Sequence, residues 1–253
     1  MMESNSEACV TDCHGNVACQ DCSLHQLCLP VGLDSADLAL LDRIIRRRRP
    51  LRRDEYLFRA GDPLRAVYAV RSGSVKTYTC SSDGDEHVTG FHLPGELIGL
   101  DAIGSGVHPR SARALETSSV CEVAYEGLEE LSMKIRGLQR QLLRLMSREI
   151  HHDETMMILL AGMAAEGRLA ALLSNIAARV GERGFSPRAF RLSMSRNDIG
   201  SYLGLAVETV SRLFTRLQAE GLLSVQRKQV MIHDPDRLRR MAGICGDGAL
   251  QSR

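Results

Sequence analysis

The sequence predicts an α+β chain: a β-rich roll, then a long helix, then a C-terminal helix-turn-helix with a hairpin wing. Three observations predict it. From residue 51 to 126, short β-rich runs are separated by turn signals at regular spacing. From Leu128 the apolar period becomes helical, and Gly137 to about Met163 contains no proline. Past Arg188, two short helical patterns flank a glycine and precede a hairpin-like stretch, Leu223–Ile232. The expected divisions are 1–33, a cysteine-rich segment; 34–126, the roll; 127–163, the long helix; and 164–253, the winged helix-turn-helix.

In chain order, residues 1–33 show no regular period. Asp34–Ile45 reads as an amphipathic helix capped by Asp34 or Ser35, with Leu38, Leu41, Ile44 and Ile45 on one face. Arg46–Arg49 then suit a helix C-terminus as a solvated run, and Pro50 stops it. The strand candidates are Glu55–Phe58, Val67–Val70, Ser74–Thr79, Glu86–His92 and Val120–Tyr125. Between them lie Gly61-Asp62-Pro63, Ser72-Gly73, Asp83-Gly84, Pro94-Gly95 and Gly104-Ser105-Gly106, so an antiparallel sandwich or barrel-like roll follows. On the long helix, Leu142, Met146, Ile150, Asp153, Met157 and Leu160 recur at near 3.5-residue spacing, a dimer seam. A second helix near Glu166–Val180 ends at Gly181 and Gly184.

Composition narrows the function classes. No apolar run approaches the roughly 18–20 residues of a membrane span, and Met1–Cys13 is polar and acidic, unlike a signal peptide. A cytoplasmic protein is expected. Residues 188–253 hold eleven Lys/Arg against six Asp/Glu, a local +5 that suits a nucleic-acid partner. No Ser/His/Asp set, paired carboxylates or glycine-rich phosphate loop points to an enzyme. His151 and His152 read as a solvated pair, and the Met-rich helix reads as core and interface.

Five of the eight cysteines, Cys9, Cys13, Cys19, Cys22 and Cys28, lie in the first 28 residues. Without an export signal they read as metal ligands rather than disulfides. Cys19-Gln-Asp-Cys22 is a CxxC with Cys28 close behind, so one short loop can present three thiolates to a zinc ion or an iron–sulfur cluster. No downstream CxxC or HxxxH completes a zinc site. Cys121, on a strand candidate, is a remote fourth ligand or else a small core residue. Cys80 and Cys245 read as structural, and Cys9 and Cys13 as surplus or substitute ligands.

Ser195-Arg-Asn-Asp198 resembles a capping box and opens a helix with Ile199, Tyr202 and Leu203 inward. Gly200 permits close approach, Gly204 ends the helix, and Leu205 fills the turn. A second helix, Val207 to about Glu220, buries Val210, Leu213, Phe214 and Leu217 and leaves Glu208, Ser211, Arg212 and Arg216 outward. That is the pattern of a recognition helix in the major groove: Arg212 suits a guanine edge and Glu208 a cytosine amino group. Ser195, Arg196 and Thr209 are placed to hold phosphates.

Together these stretches resemble the fumarate–nitrate reduction regulator (FNR/ANR) branch of the CRP family, from Cys19 to about Ile232. The resemblance is carried by CQDCSLHQLCLP at 19–30, FRAGDPLRAVYAVRSGSVKTYT at 58–79, GDEHVTGFHLPGELIGLDAIGSG at 84–106, ALETSSVCE at 114–122, LMSREI at 145–150, GFSPRAFRLSMSRNDIG at 184–200 and YLGLAVETVSRLFTR at 202–216. It implies a cyclic-nucleotide-binding-like jelly roll for the sensor domain. It implies a [4Fe-4S] cluster on Cys19, Cys22, Cys28 and Cys121, with Ser23 and Leu27 tuning oxygen access. It implies a homodimer whose Glu208, Ser211 and Arg212 read TTGAT–N4–ATCAA in double-stranded DNA. RNA polymerase contacts would fall at Ser72, Gly84, Asp85, Thr117, Phe185 and Ser186.

Pro109-Arg110-Ser111-Ala112 looks like the phosphate-binding Arg-Ser of cyclic-nucleotide sensors, but Leu100 stands where such sensors need a carboxylate and Glu96 comes four residues early. Arg110 is therefore expected at the surface, with no cyclic nucleotide bound. A like-charged pair of Asp153 carboxylates in the seam would oppose dimerisation by about 1–3 kcal/mol, unless an assembled cluster favours the dimer-competent state.

Overall fold

The computed structural model describes residues 18–243; Cys9, Cys13 and Cys245 lie outside them. A 3-10 turn, Cys19–Asp21, leads into α1 (Ser35–Arg43), whose N-cap Asp34 accepts from the Ala36 and Asp37 amides. The roll then runs β1 (Ile45–Arg47), β2 (Tyr56–Phe58), β3 (Ala66–Ser72), β4 (Val75–Cys80), β5 (Glu86–His92), β6 (Leu97–Ile98), β7 (Ser111–Ala114) and β8 (Ser119–Ala124). Two antiparallel four-stranded sheets form, in orders β1-β8-β3-β6 and β2-β7-β4-β5.

The helix expected to reach Ile45 stops at Arg43, and the arginine run does not cap it. Ile45–Arg47 pairs with Val123–Cys121 instead. Adjacent β-branched residues extend readily, and the β8 edge is there to receive them. Three of the four arginines are paired while the run stays largely at the surface: Arg47 with Asp42, Arg48 with Glu122 and Arg49 with Glu55.

Strand period 2 divides the core. From β3, Tyr68 and Val70 face the opposite sheet with Phe58, Val75 and Val120. Val67 and Ala69 face away, toward Leu29, Leu41 and Leu128. Helix α2 (Tyr125–Lys134) follows directly, and a single extended, buried residue, Ile135, separates it from α3 (Arg136–Gly162). Leu138 and Leu145 of α3 join the Val67 side of the core.

Beyond α3 come α4 (Ala165–Glu182), β9 (Ala189–Arg191), α5 (Arg196–Leu203), α6 (Val207–Ala219), β10 (Leu223–Gln226), β11 (Gln229–Ile232) and α7 (Pro235–Met241). The expected hairpin is β10–β11, and β9 completes a three-stranded wing in the order β10-β11-β9. The core of this part also takes in Tyr78, Val88 and Phe91 of the roll. Among the described residues no helix is long and apolar enough to cross a membrane.

Candidate metal centre and DNA-reading surface

Cys19, Cys22, Cys28 and Cys121 line one pocket, although the last is 93 positions from its nearest companion in sequence. The rest of the wall is mainly apolar, with Leu24, Ile45 and Val123 among the lining residues and His25 and Arg71 the polar exceptions. The loop is held at both sides. The Cys19 amide donates to Asp42 Oδ1 of α1 (3.2 Å), which also accepts from Arg47 (2.5 Å). Leu27 packs so closely on Gly95 that a Cβ there would lie 2.8 Å from Leu27 Cβ; with φ +91° as well, only glycine fits. Cys121 sits in β8 between Arg47 of β1 and Ala69 of β3.

Burial pushes the Cys28 thiol up to about 12. Burial, with the Asp42 carboxylate beside it, pushes Cys19 to about 12. Burial raises Cys121 too, against the pull of Arg47 and Arg71. Near neutral pH these thiols keep their protons unless a cation takes their place. Among the described residues, no three His, Cys, Asp or Glu gather tightly enough to hold a single metal ion. Four soft sulfur donors lining one mainly apolar pocket nonetheless fit a thiophilic centre, a zinc ion or an iron–sulfur cluster.

The pocket is wired to the long helix. Gln141 of α3 is buried, and its Nε2 donates to the Cys28 carbonyl at 3.0 Å. The next residue, Leu29, is fully buried in the same apolar cluster as Leu138 and Leu145. Sequence reasoning missed Gln141. Its signal was a polar residue on the Leu138–Leu145 stripe, three residues past one leucine and four before the other.

Beyond that anchorage α3 leaves apolar side chains open: Leu143, Ile150 and Met157, seven residues apart, with Ile158 and Leu160. Of the expected seam, Met146 and Asp153 are half-buried beside this stripe. Leu142 is not on it; it packs against the roll's core, and Leu143 takes the open position. Arg110, expected at the surface, is also only partly exposed, and its guanidinium faces Asp101 (3.5 Å) and Asp153 (3.8 Å). Glu96 accepts from Arg179 (2.9 Å) and Arg183 (2.5 Å) and from the Leu93 amide. Although burial opposes it, those arginines hold Glu96 down at about 2.

The helix-turn-helix forms as its sequence dictates. Ser195 Oγ accepts from the Asp198 amide, and the Asp198 carboxylate accepts from the Ser195 amide. Gly204 ends α5 at φ +63°. A Cβ on Gly200 would sit 2.6 Å from the Leu205 carbonyl, so the turn requires glycine there. On α6, Val210, Phe214 and Leu217 are buried, while Glu208, Ser211, Arg212 and Arg216 are exposed on the opposite face. Thr209 and Ser195 are half-buried at its edge. Arg216 is already paired with Glu166 (3.1 Å) and Glu220 (2.9 Å). Arg196, expected to meet a phosphate, instead lies over the Phe214 ring, 3.2 Å from its centroid.

The remaining expected contact residues fall into three surface patches. Ser72 and Thr117 lie on adjoining turns, since a Cβ on Gly73 would meet the Thr117 carbonyl at 2.5 Å. Gly84 and Asp85 form the exposed β4–β5 turn, and Phe185 and Ser186 are exposed beyond α4.

A β-roll joined through a long helix to a winged helix-turn-helix, with an open polar face on α6, defines a DNA-binding transcription regulator. Residues 48–134 match the cyclic nucleotide-binding domain, and residues 167–241 match the Crp-like helix-turn-helix domain. The chain is 52% identical over 227 residues to the fumarate and nitrate reduction regulatory protein of Escherichia coli K12, covering 90% of this chain and 91% of that one. It is 53% identical over 235 residues to the transcriptional activator protein Anr of Pseudomonas protegens, covering 93% and 96%. The structure of FixK2 from Bradyrhizobium japonicum superposes with a TM-score of 0.72 at 32% identity, covering 81% of this chain and all of that one. The chain belongs to the CRP/FNR family of transcription regulators.

Proposed function

We propose that the chain is an oxygen-responsive regulator. Cys19, Cys22, Cys28 and Cys121 hold a [4Fe-4S] cluster that assembles without oxygen and favours a DNA-binding homodimer. The observation that carries this is the shared pocket of four cysteines, tied by Gln141 to the helix that bears the open apolar stripe. A bound cluster supplies iron cations to the thiolates and a centre that oxygen degrades. The protein does the rest. On ligation the thiols release their protons and the 19–28 loop is pinned to β8. The Cys28 carbonyl is then held for Gln141, Leu29 stays between the roll and α3, and the helix keeps the setting in which its stripe can pair. Without that ligation the support would be lost, and Asp153 of each subunit would then oppose pairing.

In the dimer, two α6 helices about one DNA turn apart suit a palindrome such as TTGAT–N4–ATCAA. Glu208, Ser211 and Arg212 read bases, while Ser195, Arg196, Thr209 and Arg216 position the backbone. The patches at Ser72 and Thr117, Gly84 and Asp85, and Phe185 and Ser186 are assigned to RNA polymerase. The work is cytoplasmic, non-enzymatic and chiefly activation of genes for anaerobic metabolism; relatives named as a transcriptional activator and as a fumarate and nitrate reduction regulatory protein support the activating, regulatory part.

Two rivals are weaker. A single zinc ion would take the same four cysteines at about 2.3 Å, and it is the weaker reading because the relatives are named as fumarate and nitrate reduction regulators. A cyclic nucleotide would need Arg110 for its phosphate and a carboxylate for its ribose. Arg110 faces Asp101 and Asp153, and Glu96 is taken by Arg179 and Arg183. Anaerobic purification with an absorbance spectrum and iron and sulfide counts decides the matter. Four irons and four sulfides, lost on exposure to air together with binding to the palindrome, are expected. A colourless protein with one zinc and no sulfide overturns the reading.

A further inference from the structure

We propose that Lys76 is a positioning residue that clamps the helix-turn-helix to the roll and so sets the half-site spacing the dimer accepts. The inference rests on the dimeric, DNA-reading function proposed above.

Lys76 lies inside β4, with a side chain only 6% exposed. A buried ammonium persists only when paired. Its Nζ donates to Glu86 of β5 at 2.8 Å and, across the domain boundary, to Asp198 of α5 at 2.7 Å. Glu86 is braced in turn by Arg113 of β7 at 2.6 Å. Asp198 is shared: one oxygen meets Lys76, and the other accepts from the Ser195 amide and hydroxyl in the capping box. The start of the first helix of the DNA-reading pair is therefore bonded directly to the roll.

A second tie lies three residues on, on the same face of α5. Ser201 Oγ donates to the Glu86 carbonyl (2.6 Å) and accepts from the Val88 amide (2.9 Å). Tyr202 stacks at a tilt on Phe91, with ring centroids 4.9 Å apart. One face of α5 thus belongs to the roll, while Gly200 abuts the turn into α6. The recognition helix cannot pivot against the roll without parting the buried Lys76 ammonium from the half-buried Asp198 carboxylate. Buried ion pairs add little net stability over apolar packing, and their best-attested use is to fix geometry. Here the geometry is the tilt and separation of two recognition helices, which decide the spacing of half-sites.

The test uses full-length, anaerobically prepared protein and a set of palindromes with spacers of about three to six base pairs between the TTGAT and ATCAA half-sites. Wild type is expected to discriminate against off-spacings by about tenfold or more, as a rigid dimer should. Lys76→Met is expected to keep its cluster spectrum and its dimer but flatten that ratio to about threefold or less; Lys76→Arg restores it. Ser201→Ala, a milder lesion that leaves the charges intact, is expected to flatten it part-way. Wild-type discrimination retained by Lys76→Met overturns the clamp alone, whatever Ser201→Ala does, as does a wild-type dimer that binds every spacer equally. A wild type that binds no palindrome overturns the DNA-reading function and the clamp with it.

Discussion

The cysteine pocket and the helix-turn-helix differ in where their polar groups find partners. In the helix-turn-helix, Ser195 and Asp198 satisfy each other, Gly204 closes the helix, and the recognition face is presented on a rigid support. The pocket gathers thiols in apolar surroundings, where burial raises the proton affinity of Cys19, Cys28 and Cys121. The reading site finds its polar partners within the chain, from the capping box to Lys76 of the roll. The pocket calls for cations from outside to compensate four thiolates. On the function proposed above, that difference leaves the pocket as the site able to answer to a signal.

The sharpest way to break the comparison is at the pocket. Cys28→Ser is expected to drop anaerobic palindrome binding to the non-specific level, about 10³-fold or more, in a gel-shift assay. Arg212→Ala acts on the finished site. It should cost about 1–3 kcal/mol, relax preference at one base of each half-site, and leave the cluster spectrum unchanged.

Gly200→Ala forces a Cβ onto the Leu205 carbonyl; thermal unfolding should show a loss of about 1–3 kcal/mol. Gln141→Leu keeps the packing but not the donor to Cys28. It should leave iron and sulfide counts intact and weaken cluster-dependent dimerisation by about three- to tenfold, in keeping with a hydrogen bond's worth of about 1 kcal/mol, as measured by sedimentation.

The last prediction concerns acid. Burial holds His92 down at about 4, below its usual 6.5, and Arg179 and Arg183 hold Glu96 at about 2. Both bind fewer protons folded than unfolded, so their contribution is present near neutrality. The His92 part is lost as pH falls from about 6.5 toward 4, and the Glu96 part from about 4.5 toward 2. Thermal melts over that range should show the decline, and Glu96→Gln should remove its lower limb.

How legible these regions were in the sequence follows the same division. Ser195, Asp198, Gly200 and Gly204 reveal the helix-turn-helix because each acts on neighbours within a few residues. The CxxC and Cys28 announce a metal segment by spacing, but Cys121 joins them only through the β3–β8–β1 pairing. Strand β7, Ser-Ala-Arg-Ala, lacks any β-branched residue and is a strand because β2 and β4 flank it. Strand β1 was hidden by arginines that look like the end of a helix. Lys76 reads as an ordinary strand residue because its partner Asp198 is 122 positions away. Leu142 was assigned to the seam by period alone; one helix step separates it from Leu143, and only packing against the roll decides between them.

The central claim is that four cysteines, once ligated, set the pairing of α3. Sedimentation of the anaerobic protein at one concentration, before and after air and beside Cys121→Ser, tests it most directly. The account predicts a dimer that becomes a monomer on oxidation, and a variant that is monomeric throughout. A wild type whose mass ignores both oxygen and the loss of Cys121 would contradict it.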